Sequence, residues 1–182
     1  MNIYNAIKEG TKILKKNDVK FSALDSEILL AKALKKQRKY LILNLDKMLN
    51  KKNLEIYKNL INQRSNGKPV AYLTKKKDFW NSEFIIEQGT LIPRPDTEVL
   101  IEATLELFKY KDYANILDVG VGSGCIILSI LKEKQRFHGT GIDVSSKSIS
   151  LSKLNAKKFS LENRVKFIKR DVDNFCHGKY DL

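Results

Sequence analysis

The stretch Leu117-Asp118-Val119-Gly120-Val121-Gly122-Ser123-Gly124 sets three glycines within five positions, beginning two residues after an acid. It follows a short apolar run, Ile116–Val119, and precedes another, Cys125–Leu131, with the character of a helix. It therefore reads as a strand-to-helix turn, the place where α/β folds hold nucleotides. Glycines there let the backbone turn sharply and approach a ligand that any Cβ would block. A dinucleotide fingerprint would also want Gly at 125, where Cys125 stands, and a phosphate loop would end in Gly-Lys-Ser/Thr, which is missing. Asp118 would repel a pyrophosphate but suits a cationic amino-acid portion.

Two more acids follow at strand ends. Asp143 closes Gly139–Val144, about 20 residues on, where a carboxylate can grip ribose hydroxyls. Asp171 follows Val165–Ile168 and could reach an adenine amine. S-adenosylmethionine carries a sulfonium and an α-ammonium and no phosphate, so it fits such a turn: bared backbone amides ringed by carboxylates. The plainer alternative is a tight structural turn with solvated aspartates.

The elements that must position these residues fall into two halves. Residues 1–65 read as four or five helices, with Ile3, Ile7 and Leu14 on one face, then Leu24, Ile28 and Ala31, then Leu54, Tyr57 and Ile61. Ser22 is a plausible N-cap for the second run, and Leu41–Leu45 a short helix or turn. Ser65-Asn66-Gly67-Lys68-Pro69 breaks the pattern. Phe79-Trp80 and Phe84-Ile85-Ile86, flanking Asn81-Ser82, suggest a β-hairpin. Pro95 and the acids after it fit the start of a helix carrying Val99, Leu100, Ala103 and Leu107. From Asn115 onward strands and helices alternate, with Tyr180-Asp181-Leu182 opening a fourth strand, which implies a parallel, doubly wound α/β sheet. The expected organisation is a helical domain over 1–66, a hairpin and linker over 67–93, and the start of a Rossmann-like domain over 94–182.

Composition narrows the class. The 182 residues are 42% apolar and 30% charged, as in ordinary globular proteins. No apolar run approaches the ~20 residues that cross a bilayer, and the N-terminus lacks a secretion signal, so a cytoplasmic protein without membrane attachment is expected. Cys125 and Cys176 match no metal spacing, and His138 and His177 are isolated, so no metal site is expected. Of the net charge of +13, residues 1–80 hold +12 (19 Lys/Arg against 7 Asp/Glu). That points to an acidic partner or merely to a lysine-rich composition. No stacking aromatics interleave with the charge, so stable nucleic-acid binding is not expected.

Several stretches outside the glycine turn resemble the HemK/PrmC family of peptide-chain release-factor glutamine methyltransferases. They are Gly67-Lys68-Pro69-Val70-Ala71-Tyr72-Leu73-Thr74 with Phe79-Trp80; Leu91-Ile92-Pro93-Arg94-Pro95-Asp96-Thr97-Glu98; Ile116 to Ile126; and Asp143-Val144-Ser145 with Asn155-Ala156. The resemblance implies a helical domain that helps hold a class 1 release factor. Joined to it would be a Rossmann-like, class I domain that uses S-adenosylmethionine to methylate the glutamine side-chain nitrogen of a Gly-Gly-Gln motif. By position, Gly120, Val121, Gly122, Ser123, Gly124, Asp143, Asp171 and Val172 would line the cofactor. Lys75 stands where the family usually has Gly. Val172 replaces an aromatic that sometimes stacks on adenine, at a cost of ~1 kcal/mol.

The family's Asn-Pro-Pro-Tyr motif, which would hold the amide hydrogens and aim the nitrogen, does not occur: the prolines are Pro69, Pro93 and Pro95. No catalytic residue is assigned. The expectation is a fragment, inactive unless another chain completes the sheet, with Ile116–Val119 as an unprotected edge. The competing readings are a non-catalytic module that binds a release factor or the ribosome, and a methyltransferase of nucleic-acid amines.

Overall fold

The computed structural model describes residues 1–176 and 178–182. His177 lies outside them. The chain divides into two compact units, Met1–Thr74 and Lys75–Leu182.

The first unit is helical: α1 (Ile3–Lys16), α2 (Ser22–Leu34), α3 (Arg38–Ile42), α4 (Lys51–Ser65) and α5 (Val70–Thr74). Asn2 and Asn50 cap α1 and α4, their side-chain oxygens accepting the N–H of Asn5 at 2.9 Å and of Asn53 at 2.8 Å. Ser22 is not a cap: α2 starts from Phe21 with no side-chain cap bond. The core is formed by Ile3, Ala6, Leu14, Leu29, Leu30, Leu41, Tyr57, Ile61 and Leu73. The buried face of α2 is rotated from the expected one, since Leu24 is exposed while Asp25 and Ser26 are buried. Polar partners make this possible. Arg64 Nε donates to Asp25 Oδ2 at 2.7 Å, and Ser26 Oγ lies 2.6 Å from the Tyr57 hydroxyl while donating to the Ile7 carbonyl. Burial pushes the Tyr57 hydroxyl up to about 12, against the opposing pull of Ser26.

The second unit opens with a hairpin, β1 (Lys76–Phe79) and β2 (Ser82–Ile85), paired antiparallel with Phe79 opposite Ser82. Its two-residue turn is Trp80-Asn81, both with positive φ (45° and 53°). That conformation usually selects Asn-Gly. Trp80 is held in it by its backbone N–H donating to Glu98 Oε1 (3.0 Å) and its indole N–H to Glu133 Oε1 (2.8 Å). Lys75, standing where glycine was expected, takes φ of +61°.

A 3-10 turn at Pro95–Thr97 leads into α6 (Glu98–Leu107). Only Ile101 and Thr104 of α6 are buried; Val99, Leu100 and Leu107 face outward. The Thr104 hydroxyl donates to the Leu100 carbonyl at 2.8 Å, so a polar residue fits the inner face and conceals its phase.

Then come β3 (Asn115–Val119), α7 (Cys125–Glu133), β4 (His138–Asp143), α8 (Ser146–Lys158) and β5 (Val165–Lys169). The strands form one parallel sheet in the order β3-β4-β5, with Ile116 opposite Gly139 and Gly141 opposite Phe167. A helix follows each of β3 and β4. The far side of β3 is not bare along its whole length, contrary to expectation. Asp181 N–H donates to the Asn115 carbonyl, and Leu117 N–H to Leu182 O, both at 2.8 Å. The Asp181 carboxylate accepts the Asn115 N–H and pairs with Lys111 at 2.6 Å, which together hold its pKa below the usual range.

The helical unit gives a test with an unusual sign. Gly to Ala inside a helix ordinarily stabilises by about 1 kcal/mol. At Gly10 of α1 an added Cβ would lie 1.9 Å from the Tyr57 hydroxyl oxygen and 2.8 Å from Ser26 Oγ. Gly10→Ala should therefore destabilise the protein by about 1–3 kcal/mol in urea unfolding.

Candidate functional site

The site is built where β3 and β4 end. Gly120, Gly122 and Gly124 all take positive φ (76°, 55° and 79°). The glycines serve different needs. At Gly124 an added Cβ would sit 3.0 Å from Leu128 Cδ1 and 3.3 Å from Ser152 Cβ, so this residue permits close packing of the turn against α7 and α8. At Gly120 no heavy atom lies within 4 Å of that position, and at Gly122 the nearest is the Gly120 carbonyl oxygen at 3.8 Å. Those two face open space.

Four of the five turn N–H groups already have acceptors. Gly120 and Val121 both donate to the Ile142 carbonyl at 2.9 Å, Gly124 to the Val121 carbonyl at 2.8 Å, and Gly122 to Asp143 Oδ2 at 3.0 Å. The expectation of bared amides is thus corrected: the fold itself uses these donors to lock the turn onto β4. Among the described residues the carbonyls of Gly120 and Gly122 accept no hydrogen bond. The turn thus leaves two carbonyls and the Ser123 N–H without a hydrogen-bond partner among the described residues.

Asp143, the last residue of β4, accepts from Gly122 N–H with one oxygen and from Ser145 N–H (2.8 Å) with the other. A carboxylate has about four acceptor positions, so two remain for other donors. Asp118 lies beneath the start of α7, with Oδ2 3.4 Å from the Ile127 nitrogen. Its pKa is pushed up to about 6. Desolvation is the main cause; the Ile127 N–H opposes it and the charge of Asp143 adds to it. Neighbouring Cys125 has a thiol pushed up to about 11 by burial, so it is no nucleophile at neutral pH.

Asp171 and Val172 stand one strand further on. The Arg170 N–H donates to the Asp143 carbonyl (3.0 Å), which sets the end of β5 beside that of β4. Asp171 caps a 3-10 turn, Val172–Asn174, through the Asp173 N–H (3.1 Å), and Val172 is exposed. An open cleft of about 550 Å³ lies here, lined by Val144, Lys169, Arg170, Asp171 and Asn174. Sequence reasoning missed Val144, Lys169, Arg170 and Asn174 as lining residues; the position of Val144, directly after Asp143, was the available signal. No group of three or more His, Cys, Asp or Glu among the described residues could hold a metal. No helix among them is long and apolar enough to cross a membrane.

Residues 5–74 match the PrmC N-terminal domain family, and residues 110–182 a methyltransferase domain family. The chain is 39% identical over 172 residues to the release factor glutamine methyltransferase of Clostridium acetobutylicum, and 36% identical over 173 residues to that of Leptospira interrogans. Each alignment covers 94% of this chain and 60% of the relative. The chain thus spans about three-fifths of the length of these relatives. Among solved structures, a ribosomal protein L11 methylase from Lactobacillus delbrueckii subsp. bulgaricus aligns over 52% of this chain and 48% of its own, at 22% identity and a TM-score of 0.44.

Asp118 makes stability depend on pH in a direction uncommon for an acid. Its folded pKa of about 6 exceeds the unfolded value near 3.8, so the protonated form stabilises the fold. That stabilisation is complete below about pH 4 and is lost as pH rises through 6. Asp118→Asn should be more stable than the parent at pH 7.5, by about 1–3 kcal/mol, with the difference vanishing near pH 4. Denaturant unfolding at the two pH values measures it.

Proposed function

The chain belongs to the PrmC (HemK) family of methyltransferases, and on that premise we propose that it binds S-adenosylmethionine between the β3–α7 turn and the ends of β4 and β5. The reaction served is methylation of the glutamine side-chain nitrogen in the Gly-Gly-Gln motif of class 1 release factors.

The observation that carries this reading is a desolvated carboxylate, Asp118, to which no cation is bonded among the described residues. Asp118 is desolvated, Asp143 lies close enough to raise its pKa, and the backbone leaves open space over Gly120 and Gly122. A phosphate would find acids there, and four of the five turn N–H groups already occupied. The α-ammonium and sulfonium of S-adenosylmethionine find the complementary charge. Bound there, the cofactor supplies an electrophilic methyl group on a positively charged sulfur. Asp118 compensates the cationic end, Gly120 to Gly124 with Val121 and Ser123 form its backbone floor, and Asp143 accepts ribose hydroxyls on its remaining lone pairs. Asp171 and Val172 flank the adenine.

The family's amide-orienting Asn-Pro-Pro-Tyr motif is not among these 182 residues, so no residue here is given a catalytic role. These residues provide the cofactor side of the reaction. The outward apolar face of α6 and the free part of the β3 edge at Val119, itself exposed, fit coverage by further polypeptide that extends the sheet. The helical unit, rich in lysine, is assigned to docking the release factor.

Titration calorimetry of the folded chain at pH 7.5 tests the reading. S-adenosylmethionine should bind and ADP should not. Binding should weaken about tenfold or more in Asp118→Asn, the size expected for a lost charge-assisted hydrogen bond. Affinity should also fall as pH drops through 6, as Asp118 takes up a proton. No heat from S-adenosylmethionine on folded protein, or tighter binding of ADP, would refute the assignment.

A further inference from the structure

Asn155 is fully buried on the inner face of α8. A buried amide side chain carries two N–H donors and an acceptor that must all be satisfied inside the protein. Here each has a partner, and the partners belong to different elements. Asn155 Oδ1 accepts the backbone N–H of Ile85 at 2.7 Å, and its Nδ2 donates to the Ile85 carbonyl at 3.0 Å. In this way the amide pairs with the last residue of β2 much as a neighbouring strand would. The same Nδ2 also donates to the carbonyl of Ser123 at 2.9 Å. Ser123 stands between Gly122 and Gly124, in the turn whose backbone forms the floor of the cofactor site. One side chain therefore fixes the hairpin and the glycine turn to a common point.

We infer that Asn155 is a positioning residue for S-adenosylmethionine binding: it sets the glycine turn relative to the β1–β2 hairpin, so that the state of the hairpin is felt at the cofactor. This rests on the reading of the turn as the cofactor site. The turn needs an external hold because its glycines give it little stiffness of its own, and misplacement of about 1 Å at such a site is costly. Hydrogen bonds donated by the turn N–H groups to the Ile142 carbonyl and the Asp143 carboxylate fix its β4 side. The Ser123 carbonyl is fixed from the other side by Asn155. A second tie between α8 and β2, Lys158 Nζ to the Glu83 carbonyl and carboxylate, does not touch the turn and so supplies a control.

Three variants of the full chain separate positioning from simple packing. Asn155→Asp keeps the side-chain size and the acceptor for Ile85 but removes both donors; Asn155→Leu removes all three bonds; Lys158→Ala cuts only the control tie. Each is read by calorimetric affinity for S-adenosylmethionine and by amide exchange at Gly122 and Gly124. Asn155→Asp, and Asn155→Leu where it folds, should weaken binding about tenfold or more and speed exchange at both glycines, while Lys158→Ala stays within about twofold of the parent. Folded Asn155→Asp with parental affinity and parental exchange would overturn the inference. So would an equal loss in Lys158→Ala, which would make the effect general helix–hairpin packing. If the parent itself fails to bind S-adenosylmethionine, the functional reading falls, and exchange at Gly122 and Gly124 alone decides whether Asn155 holds the turn.

Discussion

A carboxylate removed from water and left without a cation is costly, and the second unit is arranged around one. Asp118 sits under the first turn of α7, where a helix N-terminus offers partial positive charge and one long contact from the Ile127 N–H. Those are too weak to offset desolvation, and the nearby charge of Asp143 makes matters worse, so the pKa climbs to about 6. A protein with net charge +13 has many lysines to spare, yet among the described residues none bonds to this acid. On the proposed reading, the positive charge of the bound cofactor would relieve this cost, which the fold carries as lost stability without it.

The turn above the acid follows the same logic. Small residues at 120 and 122 are needed for a left-handed backbone and leave room above it, but their N–H groups are directed down onto Ile142 and Asp143. A phosphate-binding turn does the opposite, aiming its N–H groups at the ligand. Glycine spacing alone does not separate the two; the direction of the donors does. Asp143 is thus both a structural acceptor that locks the turn and a group with lone pairs left for a bound hydroxyl.

This division explains what could be read from the residues beforehand. The strand, turn and helix succession after Asn115 was legible because each strand is short and apolar and each turn is marked by glycine or an acid. The acids at 118, 143 and 171 were legible because parallel strands bring their carboxyl ends to one edge. The inner faces of α2 and α6 were misread where polar residues are buried with partners distant in sequence: Asp25 with Arg64, Ser26 with Tyr57, Thr104 with its own helix backbone. Apolar periodicity cannot anticipate such partners. Asn155 looked like one letter of a family pattern, and its purpose depends on Ile85 and Ser123, 70 and 32 residues away. The partial cover of β3 by Asp181 and Leu182 was legible in part, since Tyr180-Asp181-Leu182 reads as the opening of a fourth strand.

The most direct measurement is the carboxyl carbon titration of Asp118 by NMR, in the free chain and in the chain saturated with S-adenosylmethionine. The account predicts a midpoint near 6 in the free chain, falling by about 1–3 units in the complex as a cation takes its place beside the carboxylate. A midpoint unchanged by saturating cofactor would contradict it, since the acid would then be buried for some other reason than to receive that charge.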